Sequence, residues 1–342
     1  MRRILPRLPH LVATLVALLA TAALLTACGG DDSQARPNAD ATLMLDFTPN
    51  AAHAGIYSAI ARGFDDAEGV HLTVRVPGSS TDAVKLLLSG RTQFSVMDIH
   101  DLALAGARGR ELVAVMSIVQ RPLAAVLAQP DVKSPRDLEG RKVGVTGLPS
   151  DDAVLRSIVV GAGGDFGRVE RVTIGFNAVP ALLGGRVAGA TAFWNVEGVA
   201  LRAERPGMHD FRVDRYGAPP YPELVLVTAR DTLREDPALV NATVRALVRG
   251  YGVTVHDPAS SLNDLASRVH GLDRKQLEQQ LDVLIPALSP PGGRIGGLDP
   301  QVLARWASWE ARFGIVDAPP DVRRLFDTDV VPDAGAASDD AA

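Results

Sequence analysis

At 342 residues the chain is about twice the length that one hydrophobic core usually serves, so two lobes are expected. Hydrophobic residues at 46% and charged residues at 22%, with 32 glycines and 23 prolines, exclude a chain that is disordered throughout or collagen-like. The 35 Lys and Arg against 40 Asp and Glu leave a formal charge of −5 and no basic excess for nucleic acid, and the single cysteine, Cys28, excludes an intrachain disulfide or a multi-thiolate metal site.

Arg2, Arg3 and Arg7 precede an apolar run from Leu11 to Leu25, which closes in Leu25-Thr26-Ala27-Cys28-Gly29. A basic start, a short apolar run and small residues read as a signal peptide over residues 1–27. The run is shorter than the roughly 20 apolar residues of a membrane span and is broken by threonines. The Leu-Thr-Ala-Cys tetrad resembles the lipobox of bacterial lipoproteins, which implies cleavage before Cys28 and acylation of its thiol, with the protein held on the outer face of the cell membrane. Residues 1–27 carry three arginines and no acid, so their removal takes the formal charge from −5 to −8. Residues 28–40 are polar and aperiodic and read as a flexible tether, and 332–342 as a disordered tail.

The body opens on a buried-strand pattern, Ala41 to Phe47, followed by Thr48-Pro49-Asn50 and a helical stretch to Phe64. A strand over His71 to Val76, the turn Pro77-Gly78-Ser79-Ser80 and a helix from Thr81 to Ser89, stopped by Gly90, continue the alternation. Alternating strands and helices imply α/β architecture with parallel sheets covered on both faces. An approximate repeat supports two lobes of one plan. Leu88-Ser-Gly-Arg91 and Leu183-Gly-Gly-Arg186 both read as helix end, glycine cap and new strand, and Thr42 to Phe47 and Arg141 to Thr146 are matching strands about 95–99 residues apart. The apolar runs Leu123 to Ala128 and Glu223 to Ala229 read as two hinge crossings. They divide the body into a discontinuous lobe I, residues 41–125 and 226–331, and lobe II, residues 126–225. From Pro237 the pattern is helical, over Pro237 to Val255, Ser261 to Val269, Arg274 to Leu288 and Pro300 to Phe313, and these helices are expected to pack on lobe I.

In open α/β sheets ligands sit beyond the carboxyl ends of strands, where loops enter helices. Asp46 to His53, Gly78 to Asp82 and Gly147 to Asp152 are loops of that form. With Asn50 as helix cap, His53 falls in the first turn, where the positive helix end disfavours imidazolium. It either makes a hydrogen bond to a heteroaromatic ring or ties the turn to its neighbours. Asp46 accepts from a ligand N–H or caps the turn, and Phe47 covers a ring face or packs in the core. Ser79 and Ser80 suit a polar or anionic substituent, or a plain helix cap. Asp98, at a strand end, is a candidate ligand contact. Its neighbours His100 and Asp101 invite a metal reading, but the spacing suits a loop equally and no metal is expected. Trp194, Asn195 and Glu197 follow a lobe II strand. There the indole stacks on a planar ligand or is buried under the lobe, while the carboxylate accepts from ring amino groups. Tyr216 and Tyr221, in a proline-rich loop before the second crossing, touch ligand or pack the loop.

Asp46-Phe47-Thr48-Pro49-Asn50-Ala51-Ala52-His53-Ala54-Gly55 resembles the opening motif of the family named for the fungal thiamine-pyrimidine synthases. That family includes bacterial binding proteins for thiamine pyrimidine precursors. The likeness continues through Gly144 to Asp152 (Ser150 included), Phe193 to Gly198, and Tyr216 to Leu224. It implies the type II periplasmic-binding-protein fold, two Rossmann-like lobes with two hinge crossings. It also implies a lipid-anchored solute-binding protein that acts as a monomer and delivers a small planar heterocycle to the permease and ATPase of an ABC importer. A thiamine pyrimidine precursor is the first ligand expected, with riboflavin, a sulfonate or another aromatic compound as alternatives. The enzymes of the family imply a lysine-bound pyridoxal phosphate, a consumed histidine and a cysteine-rich motif. A chain whose sole cysteine is Cys28 departs from that pattern, so neither catalysis nor a cofactor is expected.

Overall fold

The computed structural model describes residues 39–78, 82–148, 150–289 and 293–331. The signal peptide, Cys28, Ser79, Ser80 and the segment 332–342 lie outside the described residues. In chain order the strands are β1 (Ala39–Met44), β2 (Val70–Arg75), β3 (Phe94–Asp98), β4 (Leu112–Val119), β5 (Ala124–Ala128), β6 (Lys142–Val145), β7 (Glu170–Thr173), β8 (Gly189–Phe193), β9 (His209–Arg212) and β10 (Leu224–Ala229). The helices that matter here are α1 (Ala54–Ala61), α2 (Ile99–Ala107), α3 (Asp151–Gly161), α4 (Glu197–Glu204), α5 (Pro237–His256), α6 (Pro258–Arg268), α7 (Arg274–Leu288) and α8 (Pro300–Arg312).

The strands form two five-stranded sheets, ordered β2-β1-β3-β10-β4 and β7-β6-β8-β5-β9. β4, β5 and β10 are buried along their whole length, apolar except for Ser117 in β4 and Thr228 in β10. The edge strand β2 instead alternates buried Val70 and Leu72 with exposed His71. Ala39 and Asp40, assigned above to the tether, already pair with Val70 and His71 as the start of β1.

The expected parallel sheets are corrected in one respect. β1, β2 and β3 run parallel, as do β6, β7 and β8, but β10 is antiparallel to both its neighbours and so is β5. The cause is topological. These two strands arrive from the other sheet rather than over a crossover helix, so they enter at the carboxyl end of their neighbours and run back. β5 therefore lies wholly in the second sheet and β10 wholly in the first, and the chain crosses between Val119 and Ala124 and again between Arg212 and Leu224. Glu223 ties the crossings together, its carboxylate accepting the backbone N–H groups of Leu123 and Ala124.

The repeat is visible as matching helix ends. Gly90 and Gly185 both take left-handed φ, 68° and 65°, and the N–H groups of Arg91 and Arg186 each donate over 3.0 Å to the carbonyl five residues back, Leu86 and Ala181. Proline at the first turn and an aspartate cap open α5, α6 and α8. α5 lies against α1 so closely that a Cβ on Gly250 would fall 2.1 Å from the Gly55 carbonyl oxygen, and the Tyr251 hydroxyl donates to the Ala52 carbonyl over 2.7 Å. This contact fixes the segment that enters α1, which carries part of the site. Among the described residues no helix is long and apolar enough to cross a membrane.

Candidate functional site

A cavity opens between the carboxyl ends of the two sheets, walled by Asp46, Phe47, Asn50, Asp98 and Asp101 from one side and Ser150, Asp151, Phe176, Phe193, Asn195 and Glu197 from the other. Asn50 builds the first wall. Its side-chain oxygen accepts the Ala52 N–H over 2.8 Å, and its own N–H donates to Nδ1 of His53 over 3.2 Å. A backbone N–H can only donate, so Nδ1 is the acceptor and the ring proton sits on Nε2. That nitrogen lies 2.8 Å from Asp46 Oδ1 and donates to it. His53 is fully buried, with both ring nitrogens engaged inside the protein, so it stands behind Asp46 and not on the cavity wall.

On the other wall, the strand pleat at the end of β8 divides neighbouring side chains. Phe193 faces the cavity, whereas Trp194 turns away, donates its indole N–H to the Pro122 carbonyl over 3.0 Å and carries the Arg212 guanidinium 3.9 Å above its ring. Asn195 is completely buried on the wall, and neither atom of its amide has a hydrogen-bond partner. Glu197 opens α4 and accepts the Phe193 N–H over 3.3 Å. Burial lifts its carboxyl to about 7, the Asp46 charge adding to the rise while the backbone N–H groups of Glu197 and Phe193 oppose it. Phe176, in the loop between β7 and the next helix, has no motif to announce it and is absent from the sequence expectations. It meets Phe47 edge to face with centroids 4.9 Å apart, so an aromatic from each side closes one edge of the cavity.

Asp98 caps α2 by accepting the His100 N–H over 2.7 Å and still reaches the cavity. His100 turns the opposite way, into a fully buried group with Glu310, Tyr221 and Glu223. Its Nδ1 pairs with Glu310, and its Nε2 lies 3.1 Å from the Tyr221 hydroxyl. Tyr221 thus belongs to the packing beneath the second crossing, and Tyr216 packs on Phe211 beside α3; neither lines the cavity. Burial works against a charged His100, yet Glu310 and then Asp98 hold its pKa up at about 10. Ligating atoms of Asp98, His100 and Glu223 lie within 4.8 Å of one another, but both imidazole nitrogens are committed to Glu310 and Tyr221. Asp151 is likewise spoken for, accepting from Thr146, Gly147, Leu148 and Thr191 as it anchors the start of α3.

The described walls are mostly apolar, with three phenylalanines, five carboxyl groups and one unsatisfied amide, and without lysine, arginine or histidine. Such a cavity can cover the faces of a flat molecule and accept hydrogen bonds from its edges. Residues 50–261 match the NMT1/THI5 like family. The chain belongs to this family. It is 31% identical over 315 residues to the formylaminopyrimidine-binding protein of Halalkalibacterium halodurans, covering 90% of this chain and 93% of that one. Among solved structures it is similar to the ligand-binding component of an ABC-type import system from Staphylococcus aureus, with a TM-score of 0.68 at 14% identity over 87% of this chain and 99% of that chain. It is also similar to the alkanesulfonate-binding protein SsuA of Xanthomonas axonopodis pv. citri, with a TM-score of 0.67 at 18% identity over 85% and 97% of the two chains. The fold is that of the periplasmic binding proteins, two α/β lobes joined by two crossings.

Proposed function

We propose that this family member is the extracytoplasmic solute-binding protein of an ABC importer and that it captures a thiamine pyrimidine precursor between its lobes. The observation that carries the ligand class is the cavity itself. Phe47, Phe176 and Phe193 offer ring faces, while Asp46, Asn195 and Glu197 offer edge partners with acceptor capacity to spare. An aminopyrimidine presents a flat ring and N–H donors, and both features find a counterpart here. The likeness to a formylaminopyrimidine-binding protein over nine-tenths of the chain supports the same class. A sulfonate or nitrate would meet five carboxyl groups and, among the described lining residues, no cation to balance its charge, which disfavours an anion.

Ligand capture is best served by closure of two lobes, one carrying each sheet, about the crossings beside Glu223, with the closed form read by the permease. The Leu25-Thr26-Ala27-Cys28 tetrad supports lipid attachment at Cys28 on the outer face of the membrane, in a protein that acts as a monomer. Catalysis on the pattern of the family's enzymes calls for a lysine to hold pyridoxal phosphate, and no lysine stands among the described lining residues. The residues therefore do not fit that cofactor, and binding without turnover is the function they suit.

A thermal-shift panel of 4-amino-2-methylpyrimidines, riboflavin and alkanesulfonates tests the reading. A ligand at about 100 times its Kd adds roughly 2.7 kcal/mol of stability, a shift that is easily measured. The pyrimidines should raise Tm and be recovered unchanged. A shift with sulfonates or riboflavin alone would replace the pyrimidine assignment, and recovery of a chemically altered pyrimidine would replace binding with catalysis.

A further inference from the structure

The two crossings meet at one buried carboxylate. Glu223 stands immediately before β10 of the first sheet, whereas Leu123 and Ala124 open β5 of the second. Oε2 of Glu223 accepts both of their N–H groups, that of Ala124 over 2.9 Å, so a single oxygen ties the entry to one sheet to the entry to the other. The Glu223 carbonyl in turn accepts the Ile99 N–H over 3.0 Å, which fixes the residue to the start of α2. Its remaining oxygen, Oε1, is buried without a hydrogen-bond partner and faces Nε2 of His100 at 3.8 Å. Glu223 and His100 are both shut off from solvent.

A carboxylate in a dry interior needs a compensating positive charge, and His100 is placed to supply it. The imidazole is held from behind. Nδ1 pairs with Glu310 on α8, Nε2 lies 3.1 Å from the hydroxyl of Tyr221, and Trp309 of α8 stacks on the Tyr221 ring with centroids 5.7 Å apart. Protonated on both nitrogens, the ring donates to Glu310 and to Tyr221 and lays its charge beside Glu223. Asp98 and Asp101 face the same imidazolium from the end of β3 and the first turn of α2. Burial pushes the Glu223 carboxyl up, and the His100 charge is the strongest of the influences that hold it down, ahead of the Ala124 and Leu123 N–H groups. We infer that His100 is the positioning residue of the hinge: it keeps Glu223 a carboxylate across both crossings and so governs how firmly the lobes are held as they close. Hydrogen bonds to a carboxylate are roughly twice as strong as those to a neutral acceptor, so loss of the His100 charge weakens the tie between the sheets. His100 stands off the cavity wall, and its influence on a ligand passes through the hinge.

The inference rests on the lobe closure proposed above but on no particular ligand, and hydrogen exchange of the Leu123 and Ala124 amides in the unliganded protein reads the tie directly. His100→Gln should speed that exchange by at least about tenfold, and Glu223→Gln should do likewise. The double variant should exchange no faster than Glu223→Gln alone, because His100 acts through Glu223. Leu303→Ala truncates a buried side chain on α8, leaves every charge in place and serves as the control for lost stability. Equal acceleration in a control of matched Tm, no acceleration in either single variant, or additive acceleration in the double variant overturns the inference. Where His100→Gln does not fold alone, folding of the double variant supports the inference and its failure to fold overturns it, since Glu223 is then not the charge that His100 serves. Stopped-flow measurement of 4-amino-2-methylpyrimidines on Glu223→Gln should show dissociation at least about threefold faster than from wild type. Faster exchange with unchanged dissociation overturns the role in closure. Absence of pyrimidine binding to wild type overturns the ligand reading instead, and the exchange rates then decide the inference by themselves.

Discussion

His53 Nε2 donates to Asp46 Oδ1 over 2.8 Å while its Nδ1 accepts the Asn50 N–H, so the imidazole links the helix cap to the carboxylate on the cavity wall. Asp46 is in this way oriented by a residue that never reaches the ligand. Replacing His53 by Ala removes that orientation and strands the Asn50 N–H, at a cost of about 1–3 kcal/mol in stability. Calorimetry should show pyrimidine affinity weakened severalfold to tenfold with the order of preference among pyrimidines unchanged. An unchanged affinity would mean that Asp46 needs no support from His53.

Asn195 makes the opposite kind of prediction. Its amide is buried without a partner, a state that costs the unliganded protein stability. Asn195→Leu should therefore leave the unliganded Tm unchanged or raise it, while weakening ligand binding by roughly 1–3 kcal/mol. A variant that loses stability and keeps its affinity would assign Asn195 to the scaffold and not to the site.

Glu197 should imprint a pH dependence on the unliganded protein. Its folded pKa, near 7, lies above the ordinary 4.5, so the folded state holds a proton that the unfolded chain has released. Stability from this group is complete below about 4.5 and is lost as pH rises through 7. Urea denaturation between pH 4.5 and 8 should show a decline that Glu197→Gln removes. The same slope in the variant would place its origin elsewhere, Asp98, Asp101 and Glu223 being the other carboxyls whose pKa burial raises.

The buried group around His100 predicts an order of damage. His100→Gln leaves Glu310, Glu223 and Asp98 without their cation and should cost roughly 3–5 kcal/mol at neutral pH. Glu310→Gln also breaks the pair, but it relieves the repulsion that Glu310 exerts on Glu223, and should cost less. Wild-type stability from His100 is present below its ordinary 6.5 and is lost as pH rises through about 10. Urea midpoints of both variants at pH 7, and of wild type from 7 to 10.5, check the order and the slope.

The fold was legible because its signals are local and repeated. Glycine stops at Gly90 and Gly185 and largely apolar strands each answer to neighbours in sequence. The direction of β5 and β10 was not, since an apolar run carries no information about the end from which it is entered. Within the site, Asp46, Phe47, Asn50, Asp98, Ser150, Asn195 and Glu197 come together on the cavity wall. Trp194 fails to join them because consecutive residues at a strand end face opposite ways, and the sequence does not say whether Phe193 or Trp194 points in. His53 gives its ring nitrogens to Asp46 and Asn50, Tyr221 gives its hydroxyl to His100, and Tyr216 packs against Phe211, so none of the three is left to line the cavity. Phe176 sits in a loop whose composition resembles any other surface turn.

Phe176 gives the last test, because it joins the two sides of the cavity without belonging to a motif. Its side chain, on a residue 42% exposed, meets Phe47 edge to face at 4.9 Å, an arrangement worth about 0.5–1.5 kcal/mol beyond the area it covers. The two rings belong to loops on opposite sides of the cavity, so under the proposed closure of the lobes the contact forms in the closed cleft and contributes nothing to an open form. Removing it should leave Tm of the unliganded protein nearly unaltered and shift closure toward the open state. Ligand then escapes sooner, and affinity changes within one site are carried mainly by dissociation. Stopped-flow measurements on Phe176→Ala should show dissociation faster by about three- to tenfold with association almost unchanged, and Phe47→Ala should lose more because it also gives up a ring face. The double variant should be no worse than Phe47→Ala alone, since the shared contact is already gone. Additive losses would show that the rings act on the ligand separately and that their contact does not hold the cleft shut.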